Sequence, residues 1–217
     1  MKYAVLGTGM VGHTLASKLI ALGHEVRMGA RSADNDKASS WAQAHGASAG
    51  HGSFAEVATW AERVIVAVNG ANIVAAAEAI TDAAVAGKTV IDVTNPLDAS
   101  QGMPPILVPA LSNTTSAGEA LQSALPRAKV VKTLNTMNHE VMADPARVPG
   151  DHDVFLCGDD AAAKADVVGL LGEFGWRNPV DLGALSAARG TEGLMPFWLR
   201  MWGHVGHAAF NYRIARR

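Results

Sequence analysis

The chain has 217 residues with a formal net charge of −2, and 49% of its residues are hydrophobic while 18% are charged. This balance excludes a disordered chain and supplies enough apolar side chains for a large core. With no basic excess, nucleic acid is not expected as the main partner. The single cysteine, Cys157, excludes a disulfide-stapled scaffold. There is neither a signal-peptide pattern nor an apolar run of membrane-spanning length. We therefore expect a soluble, cytoplasmic protein with no membrane partner.

Short apolar runs alternate with longer Ala-rich segments along the chain. The runs predict strands at Tyr3–Leu6, Val26–Met28, Val64–Val68, Thr89–Val93, Val130–Leu134, Val154–Cys157 and around Val180. The longer segments predict helices at Val11–Leu22, Ala33–His45, Asn72–Val85, Ser116–Leu125 and Ala161–Phe174. Strands that alternate with helices indicate βαβ units, so the predicted fold class is α/β, a Rossmann-type doubly wound parallel sheet.

Two stretches interrupt this alternation. Residues Asp98–Thr115 hold three of the nine prolines and show no regular period, which predicts a long surface loop of functional or partner-binding use. The second stretch begins at Ala184 and is rich in aromatic residues. We therefore divide the chain into a Rossmann-type domain, 1–183, and a C-terminal helical segment, 184–217.

Pro196 suits the first turn of a helix in the C-terminal segment. On such a helix one face would carry Leu194, Trp198, Met201, Val205 and Tyr212, with Phe197 and His204 outside it. Because more than one side is apolar, the helix is either a core helix or a dimer contact that also walls a pocket. We favour the second interpretation, which predicts a homodimer.

A glycine pattern follows the first predicted strand and opens the first helix. Gly7, Gly9 and Gly12 form G-x-G-x-x-G at this junction. In a dinucleotide site the first glycine permits a tight turn, the second admits the pyrophosphate and the third lets helix and strand pack closely. The helix N-terminus then offers unpaired N–H groups to the anion. The pattern predicts a dinucleotide cofactor.

The end of the second strand narrows the choice of cofactor. Proteins that bind NAD usually carry an acidic residue there, which grips the ribose 2′-hydroxyl. This chain has Arg31 and Ser32 instead, and a guanidinium with a hydroxyl suits a 2′-phosphate. We therefore predict NADP(H) rather than NAD(H), and Lys37 could add positive charge nearby.

Ligands of doubly wound sheets bind outside the carboxyl ends of the strands. Small neutral polar residues follow three predicted strands there: Asn69, Asn95, Asn135 and Thr136. Such groups can orient a carboxamide or a ribose without adding charge near a transferred hydride, although Asn and Thr also cap helices and form turns. We assign Asn95, Asn135 and Thr136 to orientation of the reacting ring, and Val68, Asn69, Asn95 and Thr136 to cofactor binding.

The usual proton donors of carbonyl reductases are missing. No lysine lies between Lys132 and Lys164, and no Tyr-x-x-x-Lys pair exists, since the tyrosines are Tyr3 and Tyr212. We therefore predict no catalytic acid or base and a redox partner that accepts hydride directly by stacking.

Other motif-like features carry no prediction of function. Gly46–Gly50 matches G-x-S-x-G but follows a helical stretch, so we interpret it as a flexible helix exit. His204 and His207 have no third ligand at metal spacing, and we predict no metal site. Cys157 is expected to be an inert buried thiol.

Several blocks together resemble the NADP oxidoreductases that depend on coenzyme F420, a deazaflavin, and their bacterial relatives. The blocks are the glycine turn, Gly29–Ser32, Asp92–Pro96, Lys132–Met137, Phe155–Asp160, and Asp181–Gly183 with Ala188–Gly190 and Glu192. The ferric reductase domain of the six-transmembrane metalloreductases is similar at a greater distance.

The resemblance implies a dimeric enzyme that moves hydride between NADP(H) and the deazaflavin, with the two rings stacked. It implies that Thr8, Met10, Val11, Arg31 and Ser32 bind the phosphates and ribose, and that Asn69, Asn95 and Thr136 lie near the nicotinamide. Archaeal members tend to carry His where this chain has Asn135. A flavin acceptor, with ferric chelates downstream, is the enzymatic alternative. An NADP(H)-sensing binding module is the alternative of another class, and it could fill the ring slot with its own side chains.

Overall fold

The computed structural model describes residues 1–215 as one large sheet with helices on both faces. The strands are β1 (Lys2–Leu6), β2 (Glu25–Ala30), β3 (Ala49–Ser53), β4 (Arg63–Val66), β5 (Thr89–Asp92), β6 (Leu97–Asp98), β7 (Ile106–Leu107), β8 (Lys129–Thr133), β9 (Val154–Gly158) and β10 (Pro179–Asp181). The helices are α1 (Met10–Ala21), α2 (Asp36–His45), α3 (Phe54–Trp60), α4 (Ile73–Ile80), α5 (Asp82–Val85), α6 (Ala117–Ala124), α7 (His139–Ala143), α8 (Ala161–Phe174), α9 (Ala188–Gly193) and α10 (Met195–Val205).

The order of strands in the main sheet is β10-β9-β8-β5-β4-β1-β2-β3. Side chains alternate between the two faces: Tyr3 and Val5 belong to one apolar core, and Ala4 and Leu6 to the other. The predicted Rossmann-type α/β fold is confirmed. The prediction of a wholly parallel sheet is wrong in one respect, because β9 runs antiparallel to β8. The carboxyl ends of β1, β2, β4, β5 and β8 therefore meet along one edge.

One strand was missed and one helix is interrupted. The strand β3 pairs in parallel with β2, and its first residues lie in Gly46–Gly50, where a flexible helix exit was predicted. The sequence of β3, Ala-Gly-His-Gly-Ser, has no β-branched residue, so propensity gives no signal for a strand. The predicted helix Asn72–Val85 is divided into α4 and α5 at Thr81, whose φ is 67°.

The two stretches that interrupt the alternation differ from their predictions in opposite ways: the first is more ordered and the second is less helical. A small antiparallel hairpin, β6 with β7, spans the start of the predicted loop Asp98–Thr115. Pro196 lies in the first turn of α10, as predicted. The prediction that Tyr212 shares a helical face is wrong, because α10 ends at Gly206 in the left-handed conformation. The chain then turns back, and Asp153 N–H donates to the Tyr212 carbonyl at 2.9 Å.

Across residues 1–215, none of the helices combines the length and the apolar character required to cross a membrane.

Candidate functional site

The glycine turn joins β1 to α1 with very close backbone contacts. Gly7 has φ +128°, and a Cβ there would lie 2.4 Å from the Ala67 carbonyl oxygen. A Cβ at Gly12 would lie 1.9 Å from the Gly7 carbonyl oxygen, so only glycine lets the helix start this near the turn. Gly9 differs from both, because the space where its Cβ would stand is open. Gly9 also caps α1 without a side-chain hydrogen bond, which leaves the first N–H groups of the helix available to an anion.

A cavity of about 680 Å³ opens beside this turn. Lys37, from the first turn of α2, lies on its wall together with Thr8, Gly9 and Met10. Burial lowers the pKa of His13, another wall residue, and the nearby positive charges of His45 and Lys37 lower it further. Lys37 thus brings a basic side chain to the wall of this cavity. The full lining is Thr8, Gly9, Met10, His13, Thr14, Asp36, Lys37, Ser40 and His139.

Arg31 and Ser32 lie directly beyond β2, on the same edge of the sheet as the glycine turn. The register pairs Leu6 with Gly29, and Gly7 N–H donates to the Gly29 carbonyl at 3.0 Å, so the ends of β1 and β2 lie side by side. Both side chains are exposed and lie outside the cavity wall. Within residues 1–215 the Arg31 guanidinium makes no hydrogen bond or ion pair, which leaves it free for a ligand anion.

A second cavity, of about 490 Å³, lies over the ends of β4 and β5. Five of the predicted site residues line it: Met10, Val11, Val68, Asn69 and Asn95. The helix α10 also lines it, through Met195, Trp198, Leu199 and Trp202. We call this cavity the slot: its lining combines small polar groups at the strand ends with aromatic side chains of α10. It also shares Met10 and His139 with the first cavity.

The asparagines at the strand ends have different partners. Asn95 and Asn135 form a reciprocal pair: Asn95 Nδ2 donates to the Asn135 carbonyl at 2.7 Å, and Asn135 Nδ2 donates to Asn95 Oδ1 at 2.9 Å. Asn69 Oδ1 accepts from Ala71 N–H at 3.0 Å, so Asn69 also caps a turn. Asn135 and Thr136 are each only 1% exposed and line neither cavity. The structure brings Asn69 and Asn95 into the slot and keeps Asn135 and Thr136 behind them.

A buried group of charges lies below this slot and was missed from the sequence. Lys132 is fully buried, and its Nζ lies 3.0 Å from Asp92 Oδ2 and 2.8 Å from Glu192 Oε1. Lys132 Nζ also donates to the carbonyl of Thr94, a lining residue, at 2.6 Å. A lysine within the apolar strand β8 was the available signal, because charged residues are almost never fully buried without a partner.

His139 is a second residue that sequence reasoning missed. Its Nδ1 lies 2.8 Å from Thr14 Oγ1, which fixes the ring between α7 and α1. It lines both cavities and stands where they meet. Its position shortly after the end of β8 was a usable signal, since ligands gather at strand ends.

Residues without a predicted function lie apart from this site. Cys157 is buried, and burial raises the pKa of its thiol to about 12. Among residues 1–215, no three His, Cys, Asp or Glu side chains are grouped so as to hold a metal ion.

Comparison with known proteins gives consistent matches. The family model described as NADP oxidoreductase, coenzyme F420-dependent, matches residues 2–96. The crystal structure of a candidate F420-dependent NADP-reductase from Arthrobacter sp. FB24 is 49% identical, covers 100% of both chains and superposes with a TM-score of 0.93.

Two curated proteins are similar over part of their length. The F420-dependent NADP reductase of Methanocaldococcus jannaschii is 31% identical over 112 residues, which are 51% of this chain and 48% of that protein. Metalloreductase STEAP3 of Rattus norvegicus is 28% identical over 203 residues, which are 91% of this chain and 38% of that protein. The matches thus span less than half of each curated relative. The glycine turn, the fold and these matches together show that the chain belongs to the family of coenzyme F420-dependent NADP oxidoreductases.

Proposed function

We propose that this protein transfers a hydride directly between NADP(H) and a planar acceptor stacked in the slot, with the deazaflavin coenzyme F420 as the first candidate. The observation that carries the proposal is the open slot of about 490 Å³, which is lined by Asn69 and Asn95 together with Trp198 and Trp202. A sensor that closed this space with its own side chains would have no such slot.

The dinucleotide half of the site rests on the glycine turn and the charges around it. Gly7 and Gly12 set the turn, and Gly9 with the first N–H groups of α1 would receive the pyrophosphate. Thr8, Met10 and Val11 belong to the same turn and would contact the phosphates and ribose. Arg31 and Ser32 would bind the 2′-phosphate through charge and a forked set of donors, and Lys37 adds a third polar group.

The nicotinamide half rests on neutral groups at the strand ends. Val68 and Asn69 would lie against the nicotinamide ribose or ring, and the Asn95 side chain would contact the ring from the end of β5. Because Asn135 is buried and bonded to Asn95, we infer that it acts by holding Asn95 in place; Thr136 is buried beside it and would have no direct contact with the ring. The mutual hydrogen bonds of Asn95 and Asn135 give that side chain a fixed orientation, which hydride transfer requires.

The redox chemistry comes from the ligands: the dihydronicotinamide supplies the hydride, and the acceptor takes it together with one proton from solvent. The protein would bind both rings face to face and limit the water between them. Trp202, which is 42% exposed, would provide a flat apolar surface for the second ring, and Trp198, stacked on Phe210, would support it. His139 lies at the junction of the two cavities, where it can contact the middle of the dinucleotide.

A flavin acceptor is the second candidate. The specific observation in its favour is the similarity to metalloreductase STEAP3, which extends over 91% of this chain. A flavin offers the same flat ring to the slot, so the two acceptors differ in polar contacts rather than in the need for stacking.

We further propose that the protein is a homodimer that contacts its partner through α10. Phe197 is 55% exposed, Trp202 42% and Val205 36%, so apolar side chains remain on the surface of this helix. We also propose a cytoplasmic location, as predicted from the sequence. Sedimentation of the wild-type protein and of Phe197→Asp tests the contact, with a dimer expected for the first and a monomer for the second.

The test of the proposed function is anaerobic mixing of the protein and NADPH with F420, FMN, FAD or riboflavin, followed at the NADPH absorbance. We expect the fastest oxidation with F420. Oxidation with flavins alone would support the second candidate. Tight NADPH binding by calorimetry without oxidation by any acceptor would refute the enzymatic proposal and favour a sensor.

A further inference from the structure

The buried group of Asp92, Lys132 and Glu192 contains two acidic side chains and one basic side chain. All three are essentially inaccessible: Asp92 and Lys132 are 0% exposed and Glu192 is 2% exposed. Glu192 comes from α9, whereas Asp92 and Lys132 face each other across β5 and β8. We call these three residues the buried charge cluster.

The two carboxyl groups of the buried charge cluster are surrounded by hydrogen-bond donors. Asp92 Oδ1 accepts from Thr94 N–H at 2.8 Å, and Oδ2 accepts from Lys132. The Glu192 carboxylate accepts from two backbone N–H groups at the start of α6, at 2.8 and 3.1 Å, and from Lys132. Every partner of both carboxyl groups is a donor, so neither group has a neighbour to which it could donate a proton. This pattern matches what carboxylates need; burial raises the pKa of Glu192, and the charge of Lys132 and the hydrogen bond from Ala117 N–H oppose that rise.

Lys132 stays protonated because its Nζ has three acceptors, two carboxylates and the Thr94 carbonyl. The neighbouring carboxylates raise the pKa of Lys132 against the effect of burial, which lowers it. With both carboxyl groups ionised and Lys132 protonated, the buried charge cluster carries a net charge of −1. The N-terminal dipole of α6 offsets part of this, by about half a charge at most.

The cluster contacts the part of the slot that Thr94 and Asn95 form at the end of β5, which we call the floor. Lys132 Nζ holds the carbonyl of Thr94, a lining residue, at 2.6 Å. Asp92 ends β5, and Asn95 follows three residues later on the same floor. The side chains of the cluster are buried, and buried charges are screened much less than exposed ones, so their field extends into the slot.

We propose that the buried charge cluster favours the oxidised, cationic nicotinamide ring over the reduced, neutral ring. The inference rests on the proposed function, because it requires the nicotinamide to lie on this floor. When a hydride leaves C4 with both bonding electrons, the ring gains one positive charge, and the acceptor gains the hydride. A net negative charge fixed below the ring stabilises that developing positive charge without reorganisation.

A purely structural role makes a different prediction. If the cluster only stabilised the packing of α9 on the sheet, its loss would disorder the strand ends that line the slot. The binding of NADP⁺ and NADPH would then weaken to the same extent. The ratio of the two dissociation constants separates the roles, because the ligands differ by the charge of the ring and by one hydride.

The experiment measures the dissociation constants of NADP⁺ and NADPH by titration calorimetry. For the wild-type protein, NADP⁺ is expected to bind at least as tightly as NADPH. Glu192→Gln and Asp92→Asn each remove one buried negative charge and should raise the ratio of Kd for NADP⁺ to Kd for NADPH by about fivefold. The matched control is Glu119→Gln, which removes a carboxylate from the first turn of α6 that pairs with Arg189 at the surface, and it should leave the ratio within about twofold.

The outcomes are distinct. A ratio unchanged in Glu192→Gln and Asp92→Asn, or wild-type binding that is tighter for NADPH, overturns the inference and leaves the proposed function standing. Failure of the wild-type protein to bind either nucleotide overturns both. Calorimetric unfolding of each variant determines whether it is folded. If one of the two variants is unfolded, the other is used for the test.

Discussion

Arg31→Ala gives the sharpest test of cofactor selectivity. Arg31 follows β2 at the sheet edge that carries the glycine turn, and its side chain is exposed. Within residues 1–215 it has no hydrogen-bonding or ionic partner, so its removal should change the free energy of unfolding by less than about 0.5 kcal/mol. Any weakening of binding can then be attributed to the interaction between Arg31 and the ligand.

The magnitude follows from the kind of interaction that the substitution removes. A hydrogen bond to a charged group contributes about 1.5–3 kcal/mol, so the Kd for NADPH should rise by about 10- to 150-fold. NADH lacks the 2′-phosphate, and its Kd should change by less than about threefold. Lys37 remains on the wall of the adjoining cavity and limits the weakening of NADPH binding.

Fluorescence titration of NADPH and NADH measures both constants. The matched control is Arg27→Ala, which removes the same charge from β2, where Arg27 stacks on Trp60 with its guanidinium carbon 4.2 Å from the ring centroid. Arg27→Ala should leave both affinities unchanged. Equal decreases in affinity for NADPH and NADH in Arg31→Ala would refute the 2′-phosphate role.

Three further substitutions or modifications test other parts of the account. Gly12→Ala should lower the free energy of unfolding by about 1–3 kcal/mol in thermal denaturation, because its Cβ would meet a carbonyl oxygen at 1.9 Å. Gly169→Ala in α8, where the space is open, should stabilise instead, and equal effects would refute the argument. Trp202→Ala should raise the acceptor KM by about tenfold and leave NADPH affinity unchanged, while Trp60→Ala changes neither. Cys157, with its pKa raised to about 12, should react with a thiol reagent only after unfolding, and rapid reaction of the native protein would contradict its burial.

The sequence predicts the fold and the glycine turn well because both depend on local patterns. Strands in the interior of the sheet are continuous apolar runs, and the turn needs glycine where backbone atoms approach within a few ångströms. The edge strand β3 could not be predicted in this way. Ala49–Ser53 contains two glycines, and its strand conformation depends on pairing with β2 rather than on propensity.

The site was predictable only in part. Asn69 and Asn95 could be found, because strand ends of a doubly wound sheet gather ligands. The pairing of Lys132 with Glu192 joins residues that are 60 positions apart, and it depends on how α9 packs over the sheet. The wall formed by Trp198 likewise depends on where α10 crosses the strand ends, which no local pattern specifies.

Isotope transfer tests the central claim most directly. NADPH that carries deuterium at both C4 positions is mixed anaerobically with the protein and F420, and the deazaflavin product is examined by mass spectrometry. Direct transfer in the slot predicts one deuterium from the nicotinamide in the reduced deazaflavin, even in ordinary water. Product without deuterium, or no reduction of F420 while NADPH is bound, would contradict the account.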